Sequence, residues 1–383
     1  MNQTSYIEIS KSAYSHNIRY LKNIIGKEVR LTSVVKGNAY GHGVENIIPL
    51  AEKSEVNHFA VFSASEAYDV FNVAKPTSGI MIMGYLNNDQ LAWAVENGIE
   101  FYVFDIDRLQ NALDIAKRTG KPARIHIEAE TGFNRTGFDY EALPQVVKLL
   151  KGNIKHLVFE GLCTHYAGAE SISNHYRVIN QIGVYRKFFQ YFNRNGLKPK
   201  YRHTAGSAAS LTYPQTIMDM VRMGIAQYGF WPSQETFIYQ FKHNKACDND
   251  LKRVISWKSK IMTLKEVDSG DFVGYGTSYM ANKRIKVAII PVGYCNGFSR
   301  SLSNTGRVLI RGKRVPVIGT VTMNIMSVNV SDIPNVQVGD EVVIIGKQKR
   351  LSISIASFCE MSEQLNYQLL ARLPSNIPRI VVA

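Results

Sequence analysis

Apolar positions along the first two-thirds of the chain fall into short runs separated by amphipathic stretches. The runs Leu31–Val35, His58–Phe62, Ile80–Met83, Phe101–Phe104, Arg124–Glu128, Leu157–Cys163, Lys200–His203 and Gly224–Tyr228 have the length and β-branched content of buried strands. Asn88–Asn97, Ile106–Arg118 and His175–Asn195 carry apolar residues at helical spacing. Strands separated by helices pair in parallel through crossovers. Eight such units are the count of a closed (β/α)₈ barrel. A doubly wound open sheet is the alternative, but no GxGxxG follows the first strand. After about residue 240 the pattern changes. "KHNKACDNDLKR" is a polar connector, and "RVISWKSKIMTLKEV", "RIKVAIIPVGY", "GRVLIRGKRVPVIG" and "GDEVVIIG" read as strands with a hairpin tip at Gly312–Lys313. The expected fold is therefore α/β: a (β/α)₈ barrel over residues 11–240 and an all-β domain over 241–383. The opening strand, residues 1–10, is expected to pair with the β domain.

Composition alters this picture little. The 383 residues are 45% hydrophobic and 20% charged, enough to build a sizeable core. The formal net charge of +14 raises the possibility of nucleic acid. The charges are spread without a long block of one sign, and no nucleic-acid-binding motif is present. Cys163, Cys247, Cys295 and Cys359 lie far apart without CxxC or zinc spacing, which suits a reduced, cytoplasmic compartment. The N-terminus lacks a signal-peptide core, and no apolar run nears the roughly 18 residues of a membrane span. Nine histidines form no HExxH, and no P-loop occurs. No metal, membrane or nucleic acid is expected.

Candidate chemistry begins at "SVVKGNAYGHG". Lys36 ends a buried strand and runs into a glycine-rich turn. Barrels keep their sites at the carboxyl ends of their strands, so Lys36 is expected in the mouth. A lysine there is a surface group, an anion binder or a desolvated nucleophile. Barrel phosphate sites form after the last two strands. There Gly224 and Ile225 can present backbone N–H groups, and Ser207 in "HTAGSAAS" adds a hydroxyl.

"VVKGNAYGHG" closely resembles the pyridoxal 5'-phosphate (PLP) lysine motif of bacterial alanine racemases, and the resemblance runs from the first strand to "NIPRIVVA". It implies a PLP-binding barrel followed by a β domain, in a head-to-tail homodimer with shared active sites. Lys36 is implied to hold PLP and to act as one of two acid–base groups. Tyr40 and Tyr367 are implied phosphate ligands beside Ser207, Gly224 and Ile225. Arg222 matches the arginine at the ring nitrogen, with His203 orienting it and His165 packing on the ring. An arginine cannot take the ring proton, which weakens the electron sink and favours proton return over transamination. "FVGYGTSYMA" resembles the segment carrying the second catalytic group, which would be Tyr275, contributed to the partner's site. Arg135 and the backbone at Met323 would bind the substrate carboxylate. Tyr294, with Tyr367, would narrow the approach and select a small side chain.

The chain departs from the family at several positions. Glu128 stands where a lysine, often carbamylated, is usual, and is expected to orient Arg135 directly. Asn324 and Asn296 replace aspartates, Glu130 replaces an aspartate, Gly206 an asparagine and Met223 a proline. The implied activity is interconversion of L- and D-alanine for peptidoglycan. Racemisation of serine or a broader range of amino acids is the near alternative, and a non-catalytic PLP-binding role the distant one.

Overall fold

A computed structural model describes residues 4–243, 251–355 and 366–383. The chain divides into two compact units. One comprises Ala13–Lys36 and Ile47–Lys252; the other Met1–Ser12, Gly37–Asn46 and Arg253–Ala383. Cys247 and Cys359 lie outside the described residues.

The first unit is an eight-stranded parallel sheet rolled into a barrel. With β1 assigned to Tyr6–Ser10 in the other unit, its strands are β2 (Arg30–Val34), β3 (His58–Val61), β4 (Gly79–Ile82), β5 (Glu100–Val103), β6 (Ala123–Glu128), β7 (Leu157–Cys163), β8 (Tyr201–His203) and β9 (Met220–Met223). They pair in the order β8-β7-β6-β5-β4-β3-β2-β9. The ring is bridged between β8 and β9 by Gly206 and Arg222, whose N–H donates to Ala205 O at 3.0 Å. Strands β3 and β5 are buried at every position, as a parallel sheet covered on both faces requires. The connecting helices have legible ends. Asp105 accepts from Arg108 N to start Ile106–Thr119, and Gly120, at φ 68°, stops it. Ser63 with Glu66 and Asn87 with Gln90 form capping boxes on Ala64–Val73 and Asn88–Glu96.

The eighth strand corrects the sequence reading. It is Met220–Met223, and Ile225–Tyr228 is a 3₁₀ turn. Gly224, at φ −98° and ψ −110°, ends the strand. The apolar run "IAQY" is buried for another reason: its polar atoms hold β2. Gln227 Nε2 donates to Val34 O at 3.0 Å, and the Tyr228 hydroxyl donates to the same oxygen at 3.0 Å. Ser33 and Tyr14 donate to Gln227 Oε1 at 2.6 and 3.0 Å. Hydropathy alone cannot distinguish such a plug from a strand.

The second unit is one ten-stranded sheet. Its remaining strands are β10 (Ile255–Lys260), β11 (Thr263–Val267), β12 (Ile285–Ile290), β13 (Arg307–Ile310), β14 (Lys313–Ile318), β15 (Met326–Asn329), β16 (Glu341–Gln348), β17 (Leu351–Ile353) and β18 (Arg379–Val382). The order is β11-β12-β15-β14-β13-β16-β10-β1-β18, with β17 on β16. β1 lies between β10, antiparallel, and β18, parallel. Its buried Ile7 and Ile9 share one face with two-residue spacing. The β13–β14 hairpin turns on Arg311 and Gly312, both at positive φ, as a two-residue loop demands. The tip thus lies one residue before the expected Gly312–Lys313, and Arg311 Nε and Nη2 clasp Asp340 at 2.7 and 3.1 Å.

Candidate active site

β2 delivers Lys36 to the carboxyl end of the barrel. Lys36 is open to solvent, yet the protein crowding its other sides, with Arg135, lowers its pKa below the ordinary lysine value. His165, two residues past β7, is in the same situation: one side is solvent-open, while surrounding protein, then Arg222, Arg135 and Lys36, push its pKa down to about 3. A group both accessible and crowded lines a concave surface. At neutral pH His165 is an uncharged ring.

Arg222 is the best-fixed residue of the site. It is 5% exposed. Its Nη1 donates to His203 Nδ1 at 2.6 Å and to His203 O at 2.7 Å; its Nη2 donates to Thr164 O at 2.7 Å and Thr204 O at 3.1 Å. Four acceptors on one planar fork leave it a single orientation. Beside it, Ser207 Oγ accepts from Gly224 N at 3.0 Å and Ala226 N at 3.4 Å. The hydroxyl thus shapes the turn that contains Ile225 and keeps its own proton to donate. Gly206 borders His165: a Cβ there would lie 3.5 Å from its Cε1.

Arg135 sits on the loop after β6. Its guanidinium lies 4.2 Å over the Phe133 ring, which is 5.7 Å from His165. Glu128 does not pair with it. This corrects the expectation of direct contact: no ion pair joins them among the described residues, and one Glu128 carboxylate oxygen has no hydrogen-bond partner. Burial raises the Glu128 pKa; the Thr136 hydroxyl and the charges of Arg222 and Arg135 only partly offset it. The residue that organises the Arg135 loop is Glu130. Its carboxylate accepts from the backbone N–H of Gly132, from Phe133 at 2.7 Å, Asn134 at 3.0 Å and Arg135 at 3.3 Å. Arg177 anchors the same loop through Gly132 O at 2.8 Å.

The turn after Lys36 belongs to the other unit and is a left-handed helical turn. Gly37, Asn38, Ala39 and Tyr40 have φ of 61°, 52°, 52° and 51°. Each non-glycine residue there costs about 1–2 kcal/mol. Local bonds hold it: Val44 N donates to Asn38 Oδ1 at 2.9 Å, buried His42 Nδ1 donates to Ala39 O and Tyr40 O at 2.9 and 2.8 Å, and Arg379 Nη2 donates to Gly41 O at 3.0 Å. Tyr40 and Tyr367 face each other with centroids 6.1 Å apart.

Tyr275, Tyr294, Met323 and Asn324 gather on neighbouring loops of the same unit. Tyr275 is 76% exposed, between Gly274 and Gly276 at positive φ. Thr320 Oγ1 donates to Tyr275 O at 3.3 Å. Tyr294 N and Cys295 N donate to Thr322 O and Met323 O, both at 3.0 Å. Asn324 Nδ2 donates to Cys295 Sγ at 2.9 Å, and Asn296 Oδ1 accepts from Gly293 N at 3.0 Å. Gly293 is required: a Cβ would lie 2.2 Å from Thr322 O. All four side chains are exposed.

Two family models cover nearly the whole chain: the alanine racemase N-terminal domain over residues 9–232 and the alanine racemase C-terminal domain over residues 254–381. The chain belongs to the alanine racemase family. It is 32% identical over 374 residues to alanine racemase 1 of Caldanaerobacter subterraneus, covering 98% of this chain and 94% of that one. It is 32% identical over 380 residues to the alanine racemase of Leptospira interrogans, covering 99% and 96%. The structure of alanine racemase from Bacillus anthracis with bound L-Ala-P superposes with a TM-score of 0.89 at 28% identity, covering 100% and 96%.

For a member of this family, several site residues escape a reading by motif. Gln227 and Thr164 act through hydrogen bonds that sequence does not display. Glu130 was legible only as a departure at one position, although an acidic residue two before a Gly-Phe-Asn turn is a cap signal. No helix among the described residues is long and apolar enough to cross a membrane, and no metal-ligating cluster occurs among them.

Proposed function

We propose that this chain is an alanine racemase that uses PLP, held in the barrel and completed across a homodimer. The observation that carries the reading is Lys36: a solvent-open amine of lowered pKa at the end of the first barrel strand, facing the same concavity as His165 and Arg222. The residues fit the cofactor. Ser207 and the Gly224–Ile225 turn would hold its phosphate, with Tyr40 and Tyr367; His165, an uncharged ring, would pack on it; Arg222 would meet the ring nitrogen. Bound PLP supplies an aldehyde that engages the amino group and a conjugated ring that draws electrons from Cα.

The chain's own residues then divide the work. Arg222 has only donors, so it hydrogen-bonds the ring nitrogen without accepting a proton from it. Arg135, held over Phe133, orients the substrate carboxylate, together with the backbone at Met323. Lys36, with its lowered pKa, is the base on one face and takes the proton of the D-isomer. Tyr275 of the partner subunit is the base on the other and takes that of the L-isomer. Tyr294 and Asn324 line the approach, and Glu128 places a carboxyl behind Arg135 and Arg222. On this reading residues 11–240 form the barrel that binds the cofactor, residues 1–10 pack with the β domain, residues 241–383 supply Tyr275 to the partner's site, and the enzyme supplies D-alanine for peptidoglycan in the cytoplasm.

The test is chiral analysis of L-amino acids incubated with protein and PLP, followed by subunit mixing. D-alanine is expected fastest, and none from Lys36→Ala. Mixing Lys36→Ala with Tyr275→Phe should restore about a quarter of wild-type activity, because half of re-paired two-fold dimers carry one intact site. No restoration would refute shared sites. A D-isomer other than alanine would move the substrate and keep the machinery.

A further inference from the structure

The Arg222–His203 contact is the end of a longer chain through the barrel interior. His203 Nε2 lies 2.8 Å from His126 Nδ1, and His126 Nε2 lies 2.9 Å from Glu100 Oε2. The same carboxylate oxygen meets His58 Nε2 at 3.1 Å, and Thr32 Oγ1 meets His58 Nδ1 at 2.8 Å. Arg124 Nη2 holds the other oxygen at 2.7 Å and through Nε also binds Glu160 at 2.7 Å. Seven of the eight barrel strands contribute a side chain. Glu100 opens β5 and His58 opens β3, whereas His203 ends β8, so the chain climbs from the amino-terminal end of the barrel to its mouth. Glu100 and the three histidines are each no more than 1% exposed.

The direction of every bond is forced. Arginine has donors only, so His203 Nδ1 accepts. His203 Nε2 then carries the proton and donates to His126 Nδ1. His126 Nε2 carries its proton in turn and donates to a carboxylate, which only accepts. His58 donates from Nε2 and accepts from Thr32. Each ring nitrogen is used, and burial holds His203 and His58 below the ordinary histidine range. Burial works to raise the Glu100 pKa, but the His126 and His58 hydrogen bonds outweigh it and hold it well below its ordinary value. The barrel makes room for the rings with two glycines. A Cβ at Gly161 of β7 would lie 2.0 Å from His126 Nδ1 and 2.7 Å from His203 Nε2; one at Gly79 of β4 would lie 2.5 Å from His58 Cδ2.

We propose that Glu100 and His126 are positioning residues for Arg222: the Glu100 carboxylate is its remote counter-charge, and the polarised histidine chain locks the guanidinium's orientation and proton. The inference rests on the reading that Arg222 meets the PLP ring nitrogen. An anion at the floor of the barrel thereby tunes a cation at its mouth.

Nitrogen NMR of histidine-labelled protein tests the chain without cofactor. His58, His126 and His203 are expected as Nε2–H tautomers, and an Nδ1–H signal from His203 or His126 overturns the proposal. Two variants of opposite sign test the charge. Glu100→Gln keeps shape and removes an anion, so the pH midpoint of PLP-dependent absorbance should fall by about one unit, the scale of one charge across the barrel at an effective dielectric near 20. Arg124→Gln, a part-exposed site, should raise it. Their kcat values should change with KM for alanine nearly constant. Equal midpoints in wild type and both variants overturn the proposal. If Glu100→Gln fails to fold, Arg124→Gln and the wild-type tautomers still decide. If the protein binds no PLP at all, the functional reading fails, while the effect of Arg124→Gln on the His203 nitrogen shifts in the cofactor-free protein still decides the relay.

Discussion

Gly161→Ala isolates the cost of disturbing the barrel's interior. The added methyl would lie 2.0 Å from His126 Nδ1 and 2.7 Å from His203 Nε2. No real Cβ contact survives at such distances, and Gly161 is pinned by its pairing with β6 and β8. The rings must therefore part, and their 2.8 Å bond is lost. Overpacking a core costs about 1–3 kcal/mol. Leaving a buried donor and acceptor unpaired costs about 1–3 more. The total is roughly 2–6 kcal/mol, or a drop of about 4–12 °C in the midpoint of barrel unfolding at roughly 2 °C per kcal/mol for a unit of this size. Scanning calorimetry of the purified protein measures it. The comparison is Gly183→Ala, in the helix His175–Arg194, where a Cβ meets nothing within 4 Å. That variant should match or exceed wild type, since alanine stabilises a helix interior by about 0.5–1 kcal/mol relative to glycine. A Gly161→Ala midpoint as high as that of Gly183→Ala would refute the reasoning, because the bond would not depend on the missing side chain.

Three further expectations concern the site. Glu130→Ala leaves four backbone N–H groups of the Arg135 loop without their carboxylate. If loosening costs about 1.4 kcal/mol of substrate binding, KM for alanine rises about tenfold; steady-state kinetics with an unaltered KM would contradict the loop's role. Glu128→Gln removes a carboxyl whose pKa burial raises above its ordinary 4.5. A raised folded-state pKa makes wild-type stability decline as pH rises from 4.5 through the raised value. The variant's melting temperature relative to wild type should therefore climb over that window, and a constant difference across pH would exclude the buried charge as its cause. Gly293→Ala would set a Cβ 2.2 Å from Thr322 O and 2.5 Å from Met323 O. It should weaken the Tyr294–Thr322 and Cys295–Met323 ties by about 1–3 kcal/mol and lower turnover; unchanged turnover would show that this loop does not shape the site.

The sequence by itself determined the two-part architecture and the chemistry of its landmarks. Eight apolar runs with intervening amphipathic stretches imply a parallel barrel, because periodicity is a local property that burial imposes on each segment. Lys36 was legible for the same reason, since a lysine between a β-branched run and a glycine turn is a local contradiction. Seven strands were located closely from their own residues. The eighth was misplaced because "IAQY" is apolar for a non-local purpose, holding β2 through Gln227 and Tyr228. Tertiary structure alone decided the partners. Glu128 has the charge to pair with Arg135, but the backbone directs Arg135 onto Phe133 and gives its loop to Glu130. His58, Glu100 and His126 are scattered singly over three strands with no spacing that marks them. They meet His203 and Arg222 only because closing the barrel turns alternate residues of each strand inward, and only because Gly79 and Gly161 leave space there. Hydrogen bonds need distance and direction, and those are properties of the closed barrel rather than of any one strand.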